Sequence, residues 1–427
     1  MEKGVFMQRG IRVPMLMRAI AILFALGIAP IQSRAAQANA AASGPVPLIL
    51  VSIDGFRADY LDRGITPTLS ALAAAGTRAQ RMTPSFPSVT FPNHTTLVTG
   101  LYPDHHGIVN NRFTDPALPG VFTMASKDAG WWAQGTPIWI TAEQAGLPTG
   151  VMFWPGVAVP HAGVTPGLYK DFNPAITPEG RVDTVLGWLD LPAPQTPRFL
   201  TLYFEAVDSA GHHHGPDSPE VNTALATIDA AIGRLVAGLK ARGLAANLIV
   251  VADHGMAAVG PDNAVLLDDL IGPAGGDTAG ATVVFDGTFV GIAIHPTPAG
   301  KAARRRLLSP QPHMQCWNKG TIPAALHYGT NPRVPDVVCQ VATGWLALTR
   351  DERARTPTLE KGAHGYAIDD PAMGALFIAQ GPAFRTGAVI APFANVDIYP
   401  LMAKVLGITP LPNDGNLADV AGALATK

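Results

Sequence analysis

Short apolar runs recur along the chain, and three of them end beside an acidic residue. The runs cover residues 48–53, 199–206 and 248–252, and the acidic residues are Asp54, Asp208 and Asp253. Apolar runs of this length, without polar alternation, are typical of strands buried on both faces of a sheet. Open α/β sheets place reactive side chains at the carboxyl ends of their strands. The pattern therefore predicts such a sheet with an acidic site at one edge.

Helical patterns lie between these runs. The clearest begins at Ser218-Pro219, an N-cap followed by proline at the first helical position, and Gly243 ends it. Apolar residues repeat between them at steps of three and four. Thr66-Pro67 begins a shorter helix, and residues 375–379 resemble a further central strand. This alternation predicts an α/β fold with a central, mostly parallel sheet flanked by helices on both faces.

Two segments interrupt the alternation. Residues 282–295 form a predicted hairpin with Asp286-Gly287 as its turn, and prolines, glycines and both cysteines follow. We interpret the stretch from about 270 to 350 as an inserted small α+β subdomain. Residues 112–190 are rich in Pro, Gly and Trp, and we expect them to form loops over the site.

The first residues resemble an export signal. Lys3, Arg9, Arg12 and Arg18 precede an apolar run over 19–29, and small-residue cleavage sites follow near residues 36–40. We expect residues 1–40 to be a signal peptide and residues 45–427 the mature catalytic domain, exported to the periplasm or secreted. The alternative is an uncleaved membrane anchor; after cleavage no stable membrane insertion is expected. In an exported chain, Cys316 and Cys339 are expected to pair.

The balance of charged residues limits the kinds of molecule that this chain can bind. The chain has 30 Lys and Arg against 32 Asp and Glu and no extended basic stripe, which argues against a nucleic-acid polymer. A small nucleotide or phosphodiester remains possible, because metals can neutralise phosphate where basic residues do not. No obligate protein partner is evident.

The acidic strand ends and several histidines supply a metal-ligand set of three carboxylates and three imidazoles. Its members are Asp54, Asp208, His212, Asp253, His254 and His364. Such ligands suit Zn²⁺, and a pair of metals serves in-line displacement at phosphorus, so the set predicts a two-zinc phosphoester hydrolase. His212 has the Asp-x-x-x-His spacing, and His214 is the reserve candidate. Each fragment alone is weak, since an Asp after a strand is often only a cap.

Longer motifs surround these residues. PSFPSVTFPNHTTLVTGLYPDHHGIVNN (84–111) contains a Thr-rich turn with Thr90, and the other motifs are LILVSIDGFRADYL, DSAGHHHGP, VADHGM and HGY. The chain from about residue 45 to its end resembles the nucleotide pyrophosphatase/phosphodiesterase family of the alkaline phosphatase superfamily, and we expect an exported bacterial member. The resemblance implies an alkaline phosphatase-like fold and a single catalytic domain.

The resemblance also implies a role for each matched residue. Thr90 falls on the nucleophile, and Asn111 on the residue that holds a phosphate oxygen. One zinc would be bound by Asp54, Thr90, Asp253 and His254, and the other by Asp208, His212 and His364. Phe91 would pack on the nucleotide base, with Tyr203 and either Tyr169 or Phe172 near its other face. Phe91 as a plain core residue is the alternative, and Trp131, Trp132, Trp139 and Trp154 are expected to be packing residues.

We therefore expect a phosphodiesterase that releases a nucleoside monophosphate through a covalent threonine intermediate. Three carboxylates and one alkoxide would balance two zinc ions, which suits a monoanionic diester. The alternatives are a phosphonate hydrolase or a choline- or lipid-headgroup phosphodiesterase on the same metals. A zinc- or nucleotide-binding protein without turnover would need a damaged site, whereas Thr90 and all six ligands stand intact.

Overall fold

The structure is a computed structural model that describes residues 46–272 and 280–426. The predicted signal peptide, residues 1–40, lies outside these ranges. Within them, no helix combines the length and hydropathy that crossing a membrane requires.

The strands of the described chain are numbered here in sequence order. They are β1 (Leu48–Ile53), β2 (Thr77–Ala79), β3 (Met82–Thr83), β4 (Phe113–Asp115), β5 (Leu118–Phe122), β6 (Thr149–Met152), β7 (Leu168–Lys170), β8 (Phe199–Phe204), β9 (Asn247–Val251), β10 (Ala257–Ala258), β11 (Ala264–Leu266), β12 (Ala281–Phe285), β13 (Phe289–Ile294), β14 (Met314–Asn318), β15 (Val337–Val341), β16 (Leu346–Leu348), β17 (Gly362–Ala363), β18 (Phe377–Gln380), β19 (Ala388–Ile390) and β20 (Phe393–Ala394).

The helices are numbered in the same way. They are α1 (Pro67–Ala75), α2 (Thr90–Thr99), α3 (Pro103–His106), α4 (Ala129–Trp132), α5 (Ile138–Gln144), α6 (Pro178–Leu189), α7 (Ala206–His214), α8 (Pro219–Ala241), α9 (Asp268–Ile271), α10 (Pro298–Leu308), α11 (Arg350–Arg355), α12 (Ile398–Leu406) and α13 (Leu417–Val420). The predicted helix from Ser218 is α8, and the Ser218 side chain accepts from the Val221 amide as an N-cap.

A central sheet of eight strands organises the molecule. Its order is β19-β2-β18-β9-β1-β8-β6-β7. The pairs β7–β6, β6–β8, β8–β1 and β1–β9 are parallel, and β18 runs antiparallel to both of its neighbours. The prediction of a mostly parallel sheet is confirmed. The run at 375–379 corresponds to β18.

Both faces of this sheet are covered. All six residues of β1 are buried, and successive side chains of a strand point to opposite faces. Helices α1, α5, α6 and α12 contact its strands. The apolar runs therefore reflect burial on two sides, as the sequence predicted.

A second, antiparallel sheet forms within the segment interpreted as an insertion. Its order is β12-β13-β15-β14, and β12 and β13 form the predicted hairpin around Asp286 and Gly287. Cys316 and Cys339 face each other on β14 and β15 and form a disulfide, so the predicted pairing is confirmed. The sheet and α10 share a hydrophobic cluster separate from that of the central sheet.

Two local predictions need correction. The Thr-rich turn is in fact a turn followed by a helix, because α2 begins at Thr90 itself. The hydroxyls of Thr95 and Thr99 donate to the carbonyl oxygens of Phe91 and Thr95, at 2.8 and 2.7 Å. Hydroxyls bonded in this way allow a polar helix to be buried. Residues 112–190 do contain loops that line the cavity, but β6 and β7 within them are strands of the central sheet.

Candidate active site

Three adjacent strand ends bring the predicted carboxylates together. Strands β8, β1 and β9 are parallel neighbours, so the residues after them meet at one edge of the sheet. The Gly55 amide, directly after Asp54, donates to Asp253 Oδ1 at 3.2 Å. Gly55 has φ of +68°, and a Cβ there would lie 3.0 Å from the Cα of Asp208. A side chain at Gly55 would therefore push the carboxylates apart.

Asp208 and His212 lie on one face of α7. Their four-residue spacing matches one helical turn, and His212 Nε2 lies 3.4 Å from Asp208 Oδ1. The backbone around Gly211 is thus helical and does not curl to present these side chains. His214 Nδ1 instead lies 3.7 Å from Glu220, so His212 is the histidine that the structure brings to the site.

The three candidate ligand histidines are anchored in the same way. His254 Nδ1 lies 2.9 Å from Gly255 O, and His364 Nδ1 lies 3.1 Å from Ser88 O. His212 Nδ1 lies 2.8 Å from Glu360 Oε2 and 3.0 Å from the carbonyl oxygen of Gly362. Carbonyl and carboxylate oxygens only accept, so in the neutral rings Nδ1 carries the proton and Nε2 keeps its lone pair. Histidines that bind metals are oriented by such contacts.

Acceptor atoms therefore face one another across the site. Asp54 Oδ1, Asp208 Oδ1 and Asp253 Oδ2 are buried and have no hydrogen-bond partner within the described residues. His254 Nε2 lies 3.4 Å from Asp54 Oδ1 and 3.0 Å from Asp253 Oδ2. Burial and the charges of Asp253 and Asp208 raise the pKa of Asp54 well above its ordinary value. Cations between these atoms would remove the repulsion, so the residues present fit a metal pair.

Two groups of three residues could each hold a metal ion, because within each group the possible ligand atoms all lie within 4.8 Å of one another. They are Asp208 with His254 and His364, and Asp54 with His94 and Asp253. The resemblance assigns His254 to the second group, and its Nε2 lies between both. Residue His94 was missed by the sequence reasoning. Its ring nitrogens lie 2.9 Å from Ser52 Oγ and 3.0 Å from Thr90 O, so it supports the backbone of the site.

Thr90 stands beside these ligands at the first position of α2. Its Oγ1 lies 3.3 Å from His254 Nε2. Asn111 Oδ1 accepts from the Phe91 amide at 2.8 Å, which fixes the side-chain amide next to Thr90. The donor end of that amide is then directed away from the Phe91 nitrogen. A hydroxyl and an amide donor thus stand at the edge of the ligand cluster.

A cavity of about 660 Å³ extends from Asp54 and Thr90, and aromatic rings line it. Phe91, Phe172 and Tyr203 are among its lining residues, whereas Tyr169 is not and is 40% exposed on β7. Of Tyr169 and Phe172, the two candidates for the second aromatic residue near the base, the structure brings Phe172 to the cavity. The Tyr203 hydroxyl also donates to Asp54 Oδ2 at 2.7 Å, so this side chain joins the cavity to the ligand cluster.

The tryptophans divide into two pairs. Trp131 and Trp139 are buried packing residues, as expected, but the buried Trp132 and Trp154 also form part of the cavity surface. The positions of Trp132 and Trp154 depend on how the segments 124–132 and 153–159 fold over the site, which the sequence pattern did not show.

Comparisons with known proteins agree with this geometry. The sequence profile described as Type I phosphodiesterase / nucleotide pyrophosphatase matches residues 48–367. An uncharacterized pyrophosphatase/phosphodiesterase of Schizosaccharomyces pombe is 37% identical over 392 residues, 86% of this chain and 78% of its own length. Ectonucleotide pyrophosphatase/phosphodiesterase family member 1 of Mus musculus is 38% identical; the match covers 87% of this chain but 42% of that protein.

Solved structures give the same answer for the fold. Human ectonucleotide pyrophosphatase/phosphodiesterase 5 has a TM-score of 0.83 and 31% identity, covering 89% of this chain and 100% of that one. The murine counterpart, as an inactive threonine-to-alanine variant in complex with AMP, gives the same TM-score. The predicted alkaline phosphatase-like α/β fold is confirmed. The chain belongs to the Type I phosphodiesterase / nucleotide pyrophosphatase family.

Proposed function

We propose that this protein hydrolyses phosphodiester or pyrophosphate bonds of small nucleotides and releases a nucleoside monophosphate. The proposal includes two zinc ions and a covalent intermediate on Thr90. One observation carries it: three buried carboxylate oxygens that have no hydrogen-bond partner in the described chain converge with imidazole nitrogens beside the Thr90 hydroxyl.

The residues that would hold the metals are those named from the sequence. They are Asp54, Thr90, Asp253 and His254 for one ion, and Asp208, His212 and His364 for the other. Bound zinc would lower the pKa of hydroxyl groups and neutralise charge on the phosphate oxygens.

Thr90 Oγ1 would attack phosphorus, and the bond from phosphorus to the leaving oxygen would break. The proton of the threonine hydroxyl ends on the leaving group, so atoms and charge balance. A water molecule would then cleave the bond between Thr90 Oγ1 and phosphorus in this nucleotidyl-threonine, which restores the hydroxyl and releases the nucleoside monophosphate. The Nδ2 donors of Asn111 would hold a non-bridging oxygen, an interaction that strengthens as charge develops there. Asn111 is positioned for this by the Phe91 amide.

The two cavities beside the ligand cluster suggest where the parts of a substrate bind. The aromatic cavity would take the nucleoside, with its base against Phe91 and Phe172. A smaller cleft of about 270 Å³ is also lined by Asn111, His212 and His364, together with Arg112 and Asp286. It would take the leaving group. The AMP complex of the murine neighbour supports a small nucleotide as the ligand.

The proposal extends to the whole chain. We infer that residues 45–427 form one catalytic domain with the segment from about 270 to 350 inserted into it. We also propose export to the periplasm or secretion, after removal of residues 1–40. The names of the animal relatives, which are called ectonucleotide enzymes, support this proposal.

The test compares the wild type with Thr90→Ala. The wild type should hydrolyse thymidine 5′-(p-nitrophenyl phosphate) and contain two zinc ions per chain by elemental analysis. Thr90→Ala should lose activity on the order of 10³-fold or more while it still binds AMP. Unchanged activity in the variant would contradict the assignment of the nucleophile. Faster turnover of phosphonoacetate or glycerophosphocholine would favour the alternative hydrolases.

A further inference from the structure

Behind the wall of the aromatic cavity lies an ion pair between a buried arginine and a partly exposed glutamate. Arg181, on α6, is 2% exposed and binds Glu205 through both terminal nitrogens, with 2.8 Å between Nη2 and Oε1. Glu205 lies between β8 and α7, three residues before Asp208. Neither residue touches the ligand cluster in the described structure, and neither was identified from the sequence.

The same guanidinium ties together the two chain segments that carry the cavity wall. Its Nη1 donates to Tyr203 O at 3.0 Å, and its Nε donates to Ile176 O at 2.9 Å. Tyr203 lies near the end of β8, whereas Ile176 belongs to the loop that follows Phe172. One planar group with donors in a fixed fork therefore sets the distance between these segments.

Three phenylalanine rings surround this guanidinium. Its Cζ lies 5.0 Å from the ring centre of Phe153 and 5.9 Å from those of Phe172 and Phe204. These distances fall within the range of cation–π attraction. Phe172 is 52% exposed and packs by its edge on Phe153 and Tyr203. A half-exposed ring has few contacts of its own, so its orientation depends on the groups beneath it.

The backbone of this wall also needs support. Phe153 is fully buried with φ of +57°, a conformation uncommon for a residue with a side chain. Such a conformation persists where surrounding contacts hold it, and the Arg181 guanidinium is one of those contacts.

We propose that Arg181, paired with Glu205, is a positioning residue that holds the Phe172 ring, beside Tyr203, in the arrangement that receives the nucleotide base. The inference rests on the proposed function and adds a specificity determinant to it. Arg181 contributes to recognition of the nucleoside and not to the displacement at phosphorus.

The experiment uses two esters that share one leaving group. They are thymidine 5′-(p-nitrophenyl phosphate) and methyl p-nitrophenyl phosphate, which differ only in the presence of the nucleoside. For Arg181→Met we expect the KM of the thymidine ester to rise about tenfold, the size of a lost base–aromatic contact. Its kcat should change little, and kcat/KM for the methyl ester and the zinc content should stay at the wild-type values.

Arg234→Met is the matched control. Arg234, on α8, forms an exposed ion pair with Asp183 on α6, the helix that also carries Arg181. This variant therefore removes an ion pair of arginine with α6 without touching the cavity wall. Both esters should then be hydrolysed as by the wild type. If Arg181→Met does not fold, the double variant Arg181→Met with Glu205→Gln replaces it. The double variant leaves no unpaired carboxylate at position 205.

A double-mutant cycle with Phe172→Ala completes the test. Once Phe172 is removed, loss of Arg181 should raise the KM of the thymidine ester little further. The inference is overturned if Arg181→Met lowers kcat/KM equally for both esters, or if its effect on the KM of the thymidine ester is as large in Phe172→Ala as in the wild type. Either result would leave the proposed function intact. If the wild type hydrolyses neither ester with zinc supplied, the proposed function itself fails.

Discussion

Tyr203 shows how one residue can serve two parts of a site. Its ring borders the aromatic cavity, and its hydroxyl donates to Asp54 Oδ2 at 2.7 Å. That bond occupies one oxygen of the carboxylate and leaves Oδ1 directed at His254. The sequence resemblance predicted a role for the ring, whereas only the structure shows the role of the hydroxyl.

Tyr203→Phe separates the two roles because it keeps the ring and removes the hydroxyl. We expect zinc affinity to fall by about 10–100-fold, the usual effect of removing a group that orients a metal ligand. Competition with a chromophoric chelator measures this directly. Tyr169→Phe, on the exposed edge strand β7, is the control and should bind zinc as the wild type does. Equal affinity of Tyr203→Phe and the wild type would show that Asp54 needs no such support.

The candidate ligands could be predicted because each stands next to a strong local pattern. Asp54 and Asp253 follow buried apolar runs, and Asp208 and His212 share a helical spacing. His94 and Arg181 carry no such pattern. The partner of His94, Ser52, is 42 positions away, and Arg181 meets Glu205 only because α6 packs beside β8. Residues that support a site through tertiary contacts therefore escaped the sequence reasoning.

Among the elements, short buried strands were predicted better than polar helices. The apolar runs gave β1 with its observed bounds and β8 and β9 within two residues. Helix α2 was missed, because its sequence TFPNHTTLVT has no apolar stripe and most of it is nonetheless buried. Its threonine and histidine side chains find partners inside the protein, so hydrophobic periodicity gives no signal there.

The turn before β15 is fixed to the segment around Asn111 by one buried arginine. Arg333 forms an ion pair with Asp115 at 2.6 Å, and its side chain is 2% exposed. It also donates to the carbonyl oxygens of Gly107, Trp131 and Gly130. This guanidinium therefore joins the turn before β15 to the segment that follows α3, in addition to the bond from the Tyr328 hydroxyl to Val109 O.

Arg333→Met should destabilise the protein strongly, since it removes the donor to Asp115 Oδ2 and to three carbonyl groups. We expect a loss of about 3–5 kcal/mol in the free energy of unfolding, measured by denaturant titration. Arg350→Met, which removes an exposed pair with Asp269, should cost within about 1 kcal/mol. A similar loss for the two variants would contradict the structural role given to Arg333.

In the whole molecule, the central sheet gathers the ligands and the metal pair would in turn stabilise the sheet. Strands β8, β1 and β9 end at one edge, and the buried acceptors of Asp54, Asp208 and Asp253 repel one another there. Without cations, the folded state must either tolerate this repulsion or protonate a carboxylate. The unfolded chain avoids both by placing the same groups in water.

Metal removal should therefore lower the thermal stability of the entire domain. At free zinc about 1,000 times its Kd, binding to the folded state alone adds about 4 kcal/mol, so the chelated protein should melt at a lower temperature. Adding zinc should restore the Tm in a concentration-dependent way. Asp253→Asn should weaken that dependence, whereas Asp183→Asn, at an exposed carboxylate, should keep it. If the Tm is unaffected by chelation and by zinc, the converging acceptors are not a metal site.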